Sequence, residues 1–468
     1  MKLLALGRED SAGSAVGWIR LATTVVAVGL AAGWAVASLP PTLVLLLIGG
    51  TLAVTLWYQA PGLAVYALVA VCPFELSYSV AGIDGIGAQE GLLIALIVLV
   101  MALVASRSPR LVRLRTPLTR GLLLLWAFLL VWGAITFLLG PANEWLLTTP
   151  VRNAWQVYRD IGRSLLVFPL VLLCLDGRSS AERAIHILVM VGAGVALNAI
   201  WLARGSDGFA TGHFSTGNAL GGYLILVIPF AVAHVFSHGS VAIRLMHGLA
   251  LALMIRAVWL AGSRGALVAV FAALAAMALF LPRRRVAAGA VLGLAALTVI
   301  VGMRGGLLNI PMVSRFIVLR DVREVDTLQW RQEQWSIFIQ RIRDRPILGY
   351  GSDVDESLRD LDRARTAHNA FLALSVKSGL PAAVAWMVFL LLMGGLALRR
   401  ALAPTPAEAR VFWIGLVGFL AALIMHNMVE STLLTPPSQK VFWIVAASAL
   451  VLRQSGNASI RIPSRTGS

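Results

Sequence analysis

Long apolar runs, separated by short polar segments, fill most of the chain. Most of these runs hold the ~20 apolar residues that a helix needs to cross the ~30 Å hydrocarbon layer of a membrane. The pattern therefore predicts an all-α, polytopic integral membrane protein with about 12–14 transmembrane helices. The run Pro61–Glu75 is short enough to be re-entrant. The candidate spans lie at about 16–38, 40–58, 61–75, 86–105, 121–140, 160–175, 184–203, 219–236, 245–262, 265–281, 286–302, 369–398, 411–429 and 441–452.

One polar segment, residues 303–367, is much longer than the others and lies between two apolar runs. It holds eleven arginines against ten acidic residues, so it is almost neutral in a chain whose net charge is +17. Within it, apolar side chains recur at helical spacing and predict a short amphipathic helix that lies on the membrane or on the protein. These side chains are Trp335, Phe338, Ile339 and Ile342. We predict a single membrane domain over residues 1–468 with this one large loop inserted.

The short loops on one side of the predicted helices are rich in arginine. Such loops stay in the cytoplasm, which places the 303–367 loop on the external side, the periplasm in a bacterium. The arginines that set this orientation are Arg107, Arg110, Arg113, Arg115, Arg120, Arg178, Arg183, Arg244, Arg283, Arg284, Arg285, Arg399, Arg400 and Arg410.

The composition excludes several classes of protein. With 59% hydrophobic and 13% charged residues, the chain differs from soluble proteins, in which about 25% of residues are charged. We expect membrane lipids, and not nucleic acid, around it. Cys72 and Cys174 both lie in apolar runs, so a disulfide framework is not expected. The motifs GxxxxGK[ST], HExxH and GxSxG do not occur, so ATP-driven, zinc-protease and serine-hydrolase functions have no support.

Two external positions combine an ionisable side chain with a span boundary, where charge is costly and often functional. Arg264 lies in Gly262-Ser263-Arg264-Gly265, a predicted tight hairpin between two spans, where it can reach an anionic headgroup or simply snorkel. His368, followed by Asn369, opens the span after the large loop. A neutral imidazole there can accept a proton from a hydroxyl, or merely cap the helix.

Two further external segments carry polar groups that could bind phosphate or line a cavity. The glycine-rich loop from Arg204 to Asn218 ends at a predicted helix start, whose free amides can bind phosphate, although ordinary turns look the same. Arg159 and Arg163 are four residues apart and share a helix face, where Asp160 could pair with one of them.

Histidines at four-residue spacing give weaker signals. His234 and His238 lie at the cytoplasmic end of a span without an acidic or cysteine partner, so we predict no metal site. His426 and Glu430 lie near the external end of another span, as a structural pair or as further polar groups of a cavity.

The order of four motifs resembles the O-antigen ligase / O-antigen polymerase superfamily, over about residues 204–398. The motifs are GSRG at the hairpin, FSTGNALGGYL from Phe214 to Leu224, RxxxW followed by RPILGYG between Arg331 and Gly351, and HNAFL from His368. Family members are usually drawn with about a dozen spans.

The resemblance implies a bacterial inner-membrane glycosyltransferase that acts in polysaccharide biosynthesis, for example of lipopolysaccharide. It implies a donor glycan on undecaprenyl pyrophosphate, an acceptor hydroxyl on a glycan or on lipid A-core, a periplasmic active site, and no cofactor or metal. Carried over by motif, Arg264 is expected to bind the pyrophosphate and His368 to activate the acceptor. Arg159, Arg163, Arg204, Asn218 and Asn369 are predicted as further substrate-binding residues.

Three functions remain open at this point. A ligase moves a finished glycan to its acceptor, whereas a polymerase joins repeat units on the carrier by the same chemistry. A transporter or flippase for an anionic lipid is a third candidate. The candidate residues lie on one side of the membrane, while a carrier needs polar groups near the midplane, which favours the glycosyltransferases.

Overall fold

The computed structural model describes residues 57–74, 77–80, 83–106, 108–139, 162–203, 209–237, 240–281, 325–351, 367–404 and 407–458. The chain forms two compact units, Met1–Gln59 and Ala60–Ser468. In the first unit only residues 57–59 are described, and they are helical. The predicted spans 16–38 and 286–302, most of 40–58, and most of the 303–367 loop lie outside the described residues. The prediction of one domain over residues 1–468 stays a prediction.

Helices make up most of the second unit, which confirms the all-α class. The elements before the longest apolar helices are α1 (Pro61–Val71), strands β1 (Ser77–Val80) and β2 (Ile83–Gly87), α2 (Ala88–Ala105), and a 3₁₀ helix (Pro109–Arg115). The strands pair antiparallel, with Ser77 opposite Gly87 and Val80 opposite Ile83, a hairpin that the apolar pattern did not predict. With eleven residues, α1 is only about 16 Å long and cannot cross the hydrocarbon layer, as the short run suggested.

The remaining elements run to the end of the described chain. They are α3 (Pro117–Leu139), α4 (Arg163–Leu165), α5 (Val167–Cys174), α6 (Arg178–Leu202), α7 (Gly217–Val235), α8 (Val241–Leu260), α9 (Arg264–Ala278), α10 (Val325–Asp344), α11 (Ala370–Leu402), α12 (Ala407–Asn427), a 3₁₀ turn (Thr432–Leu434) and α13 (Pro436–Ala458).

Six of the described helices are long and apolar enough to cross a membrane, namely α3, α6, α7, α8, α11 and α12. The chain is therefore a multi-pass membrane protein. The predicted spans agree with these helices to within a few residues at most ends, except 160–175, which is divided between the short α4 and α5. Large apolar side chains on α3, α8 and α11 are exposed, as expected for surfaces that face lipid, for example Leu124, Leu249 and Leu391.

The core lies around α7 and α13. Every residue of α7 from Leu220 to Ala233 is buried, and α6, α8, α9 and α12 pack around it. The bundle needs small residues where its helices are closest: a Cβ added at Gly192 of α6 would lie 2.9 Å from Val227, and one at Gly415 of α12 would lie 2.6 Å from the ring of Phe230. This packing fixes the positions of the helix ends.

The segment RPILGYG packs against a kink in α11 and forms hydrogen bonds with its backbone. Gly379 has a φ of 75° and Pro381 follows inside the helix, so the carbonyls of Val376 and Lys377 lose their usual helical donors. The amides of Tyr350 and Gly351 donate to those two carbonyls at 2.8 and 2.9 Å. The amide of Leu380 in turn donates to the carbonyl of Pro346 at 2.8 Å. The motif RPILGYG thus satisfies the backbone groups that the kink releases, as a buried helix break requires.

Candidate functional site

The start of α11 places His368 in a strained backbone conformation. Asn369 is the N-cap of this helix, and its side-chain oxygen accepts hydrogen bonds from the amides of Phe371 and Leu372 at 3.0 and 3.1 Å. The preceding residue, His368, has a φ of 43°, a left-handed value that is uncommon for residues other than glycine and concentrates at functional sites. Because Asn369 Nδ2 also donates to the carbonyl of Met428, both polar ends of its side chain help to fix this turn.

Glu430 holds the imidazole of His368 from the turn that follows α12. His368 Nδ1 lies 3.1 Å from Glu430 Oε2, and Asn218 Nδ2 donates to Glu430 Oε1 at 2.7 Å. Arg331 Nη2 lies 3.6 Å from the same Oε1. The Glu430 side chain is 13% exposed and that of His368 28%, so the carboxylate is largely enclosed while the imidazole still reaches solvent. We call His368, Glu430, Asn218 and Arg331 the His368–Glu430 cluster.

This arrangement selects one tautomer of His368. An ionised carboxylate only accepts hydrogen bonds, so Nδ1 carries the proton that Glu430 receives. In the neutral ring the lone pair then lies on Nε2, the nitrogen that can accept a proton from a substrate. If the ring becomes charged, the nearby carboxylate stabilises it. A histidine oriented in this way has the chemistry of a general base.

Helix α10, from the large loop, supplies Arg331 and packs on the start of α11. Trp335 Nε1 donates to the carbonyl of Ala367 at 2.9 Å, directly before His368. On the same side of the helix Phe338 is buried against Tyr350 and Val376, with Ile342 partly buried beside them. Three of the four apolar positions predicted for this helix therefore lie on or beside the protein. Ile339 is the exception, because its side chain is 41% exposed.

Arg264 is the first residue of α9, and the predicted hairpin is confirmed. Helix α8 ends at Leu260, and Ser263 caps α9 by accepting a hydrogen bond from the amide of Ala266. Gly262 is in the left-handed region, with a φ of 65°, and an added Cβ would lie 2.5 Å from the ring of Phe209. Only glycine fits this turn without strain.

The hairpin packs against the elements that carry the His368–Glu430 cluster. A Cβ at Gly217, next to Asn218, would lie 2.2 Å from the carbonyl of Ala261 in the hairpin. A Cβ at Gly265 would lie 3.0 Å from Val429, next to Glu430. The starts of α7, α9 and α11 and the turn after α12 thus meet at one end of the bundle.

His426 is a second histidine of this region. It is fully buried, and its Nδ1 lies 2.5 Å from the hydroxyl of Thr432. Its Nε2 is buried without a hydrogen-bond partner among the described residues, and lies 3.6 Å from the position of a Cβ on Gly265. Within the described chain, His426 and Glu430 are joined through their backbones, by the bond from Glu430 N to His426 O.

The structure describes some of the other predicted site residues and not others. Asn218 and Asn369 lie in or beside the cluster. Arg163 begins α4, which packs against α13, and is partly buried. Arg159 and Arg204 lie outside the described residues. All five remain predictions as substrate ligands.

Sequence reasoning missed Glu430 as the partner of His368, and missed Arg331. The residues of the pair are 62 positions apart. Arg331 did appear in the motif RxxxW, whose tryptophan proves to bind the backbone before His368. That motif was the signal for a residue beside the histidine.

The comparison with protein families confirms the resemblance for part of the chain. The family model described as O-antigen ligase matches residues 249–387. Arg264, Arg331 and His368 fall inside this range, whereas Asn218 and Glu430 lie outside it. A search of curated proteins gives no match.

Proposed function

We propose, from the match of residues 249–387 to the family model described as O-antigen ligase, that this protein is a lipid-carrier-dependent glycosyltransferase. Its donor is a glycan on undecaprenyl pyrophosphate, and its acceptor is a hydroxyl of a glycan or of lipid A-core. The site lies on the periplasmic side of a bacterial inner membrane, because the arginine-rich loops on the opposite side of the helices stay in the cytoplasm.

The observation that carries this proposal is the His368–Glu430 pair at the end of the bundle where the Arg264 hairpin also lies. The pair supplies an oriented base with its Nδ1 bound to a carboxylate at 3.1 Å. The hairpin supplies a guanidinium at the start of a helix, where backbone amides and the helix dipole also favour an anion. Acceptor activation and pyrophosphate binding require these two kinds of group.

The reaction is a single displacement. His368 Nε2 takes the proton of the acceptor hydroxyl as its oxygen attacks the anomeric carbon, and the bond from that carbon to the phosphate oxygen breaks. The new glycosidic bond is inverted at the anomeric carbon, and undecaprenyl pyrophosphate leaves with the bonding electrons. The guanidinium of Arg264 stabilises the charge that develops on the leaving oxygens, which its planar fork can bind with two hydrogen bonds. The proton on His368 then passes to solvent, which the exposed side of the ring can reach.

Glu430 positions the base in this account. The amide of Asn218 donates a hydrogen bond to its carboxylate and the guanidinium of Arg331 lies near it, so both groups hold the carboxylate in place beside His368. Helix α10 therefore contributes to the site through Arg331, and the large loop is part of the catalytic unit.

Ligase and polymerase use this chemistry equally, and analysis of the carrier pool separates them. The gene is deleted, and surface glycans and undecaprenyl-linked intermediates are compared after complementation with wild type or His368→Ala. Long chains that accumulate on the carrier, with none on the final acceptor, identify a ligase. Single repeat units that accumulate instead identify a polymerase. If both pools are unchanged, the proposed function is wrong. If His368→Ala complements fully, His368 is not the general base.

A further inference from the structure

Three histidines from three helices meet at the end of α7 opposite to the His368–Glu430 cluster. His186 of α6, His234 of α7 and His247 of α8 each offer a ring nitrogen, and these nitrogens all lie within 4.8 Å of one another. His234 lies sixteen residues after Asn218, which is about 24 Å along the helix. From His234 and His238 alone the sequence predicted no metal site, because partners from other helices are not visible in the spacing.

Hydrogen bonds to the backbone orient two of the three rings. His234 Nδ1 lies 2.7 Å from the carbonyl of Phe230, and His247 Nδ1 lies 2.8 Å from the carbonyl of Ile243. A carbonyl only accepts, so both Nδ1 atoms carry the proton and both Nε2 atoms hold a lone pair. Histidines that bind metals are oriented by this kind of bond from the other ring nitrogen.

The third ring shares a proton with the second. His186 Nδ1 lies 3.0 Å from His247 Nε2, and because the latter holds a lone pair, His186 donates. A divalent cation can replace this proton, after a change of tautomer in His186. Nitrogens bound to tetrahedral zinc at 2.0–2.1 Å are about 3.3 Å apart, so small rotations of the side chains bring the three nitrogens to that spacing.

A cavity beside the rings gives access and room for a fourth ligand. Its volume is about 180 Å³, and both His186 and His234 line it. The charged residues in its wall, Arg178 and Glu182, pair with each other at 2.7 Å, so the cavity carries little net charge that would repel a cation. Water can complete the coordination there, as it does in sites with three histidines.

We propose that His186, His234 and His247 form a binding site for a divalent transition metal, with Zn²⁺ as the natural probe. Neutral imidazoles suit Zn²⁺ and its neighbours and do not suit Mg²⁺ or Ca²⁺. The metal joins α6, α7 and α8, which are otherwise linked at this level by ring contacts and by the hydrogen bond between His186 and His247. This site is independent of the proposed transfer reaction at the other end of α7.

The competing explanation is that the three rings are only packed together. Their centroids are 4.5–5.0 Å apart, and the rings of His234 and His247 are stacked with an angle of 17° between their planes. Replacement by phenylalanine separates the two explanations, because it keeps an aromatic ring and removes the ligand atom.

The experiment uses the full chain, purified without a histidine tag, stripped with a chelator and kept in detergent or nanodiscs. Zn²⁺ is titrated in competition with a chromophoric chelator, and Co²⁺ is used as a spectroscopic probe of tetrahedral coordination. We expect one equivalent of Zn²⁺ to bind, with a higher midpoint of thermal unfolding when it is bound.

The variants His186→Phe, His234→Phe and His247→Phe should each bind Zn²⁺ at least about tenfold more weakly, since even groups that only orient a ligand are worth 10–100-fold. His213→Phe is the matched control, because His213 is exposed and packs against Phe74 instead of the cluster, and it should bind as wild type does. If a Phe variant does not fold, the Gln variant replaces it. The proposal is overturned if wild type binds no stoichiometric Zn²⁺, or if the triple variant binds it equally well.

Discussion

The side chain of Glu430 lies beside the imidazole of His368, the amide of Asn218 and the guanidinium of Arg331. Removal of its charge is therefore the most informative single substitution. In Glu430→Gln the side chain can donate to His368 Nδ1 as well as accept, so the tautomer with its lone pair on Nε2 is no longer favoured. The carboxylate that stabilises the charged ring is also lost. We expect the transfer rate to fall on the order of 10–100-fold, the loss known for carboxylates that orient metal-bound histidines.

The same replacement at an exposed carboxylate is the control. Glu333→Gln, on α10 with its side chain in solvent, should leave the rate unchanged. If Glu430→Gln transfers glycan as fast as Glu333→Gln does, Glu430 does not position the base.

A conservative substitution of Arg264 tests the proposed pyrophosphate site in the same way. Arg264→Lys keeps the charge but loses the planar fork, and with it one of two hydrogen bonds to the leaving group. A hydrogen bond to a charged group is worth ~1.5–3 kcal/mol, so kcat/KM for the lipid-linked donor should fall about 10–150-fold. Arg343→Lys, an exposed arginine of α10, should change nothing. Wild-type kinetics in Arg264→Lys would exclude a bidentate contact.

The sequence predicted the Arg264 hairpin and the start of α11 for the same reason, but it did not predict the partner of His368. The Arg264 hairpin is local: two apolar runs separated by Gly262 and Ser263 leave room only for a tight turn. The helix start at Asn369 is local as well, because a capping asparagine precedes the apolar run. The pairing of His368 with Glu430 depends on how α11 and α12 pack, and no spacing within one segment contains that information.

The kink of α11 is the element on which the start of that helix depends. In Gly379→Ala the new Cβ would lie 1.8 Å from the carbonyl oxygen of Ile347, and the left-handed φ of 75° would cost alanine a further ~1–2 kcal/mol. The segment RPILGYG must then move away from the kink and release the backbone bonds of Val376, Lys377 and Leu380. We expect a lower midpoint of thermal unfolding in detergent and a large loss of transfer.

The matched control lies in the same helix. Gly394 has ordinary helical geometry, and a Cβ there meets nothing within 4 Å, so Gly394→Ala should be neutral or stabilising by up to ~1 kcal/mol. Equal thermal stability in Gly379→Ala and Gly394→Ala would mean that the kink does not depend on RPILGYG.

The apolar pattern predicted the positions of the helices better than it predicted kinks within them. It gave a span at 369–398, where α11 runs from Ala370 to Leu402, because twenty or more apolar residues in sequence are a strong signal. The break at Gly379 is less visible, since glycine and proline are common in membrane helices. The function of RPILGYG became clear only from the carbonyls that the break exposes.

We infer the orientation of the molecule in the membrane from its arginine-rich loops, and cysteine labelling tests this orientation. The two native cysteines are buried, so single cysteines can be added at exposed positions without removing them. Ser336→Cys on α10 should react with a membrane-impermeant maleimide from the periplasm of intact cells. Ser179→Cys at the start of α6 should react only after the membrane is permeabilised. The reverse pattern would contradict the periplasmic site.

Glycan transfer by the purified protein shows whether His368, held by Glu430, is the base that activates the acceptor. Wild type and His368→Ala are incubated with a glycan on undecaprenyl pyrophosphate and its acceptor, and both the glycosylated acceptor and the released carrier are quantified. We expect His368→Ala to bind the donor normally and to transfer the glycan about 10²–10⁴-fold more slowly than wild type, since a general base typically contributes this much to the rate. Transfer at the wild-type rate by a folded His368→Ala variant would contradict this role of His368.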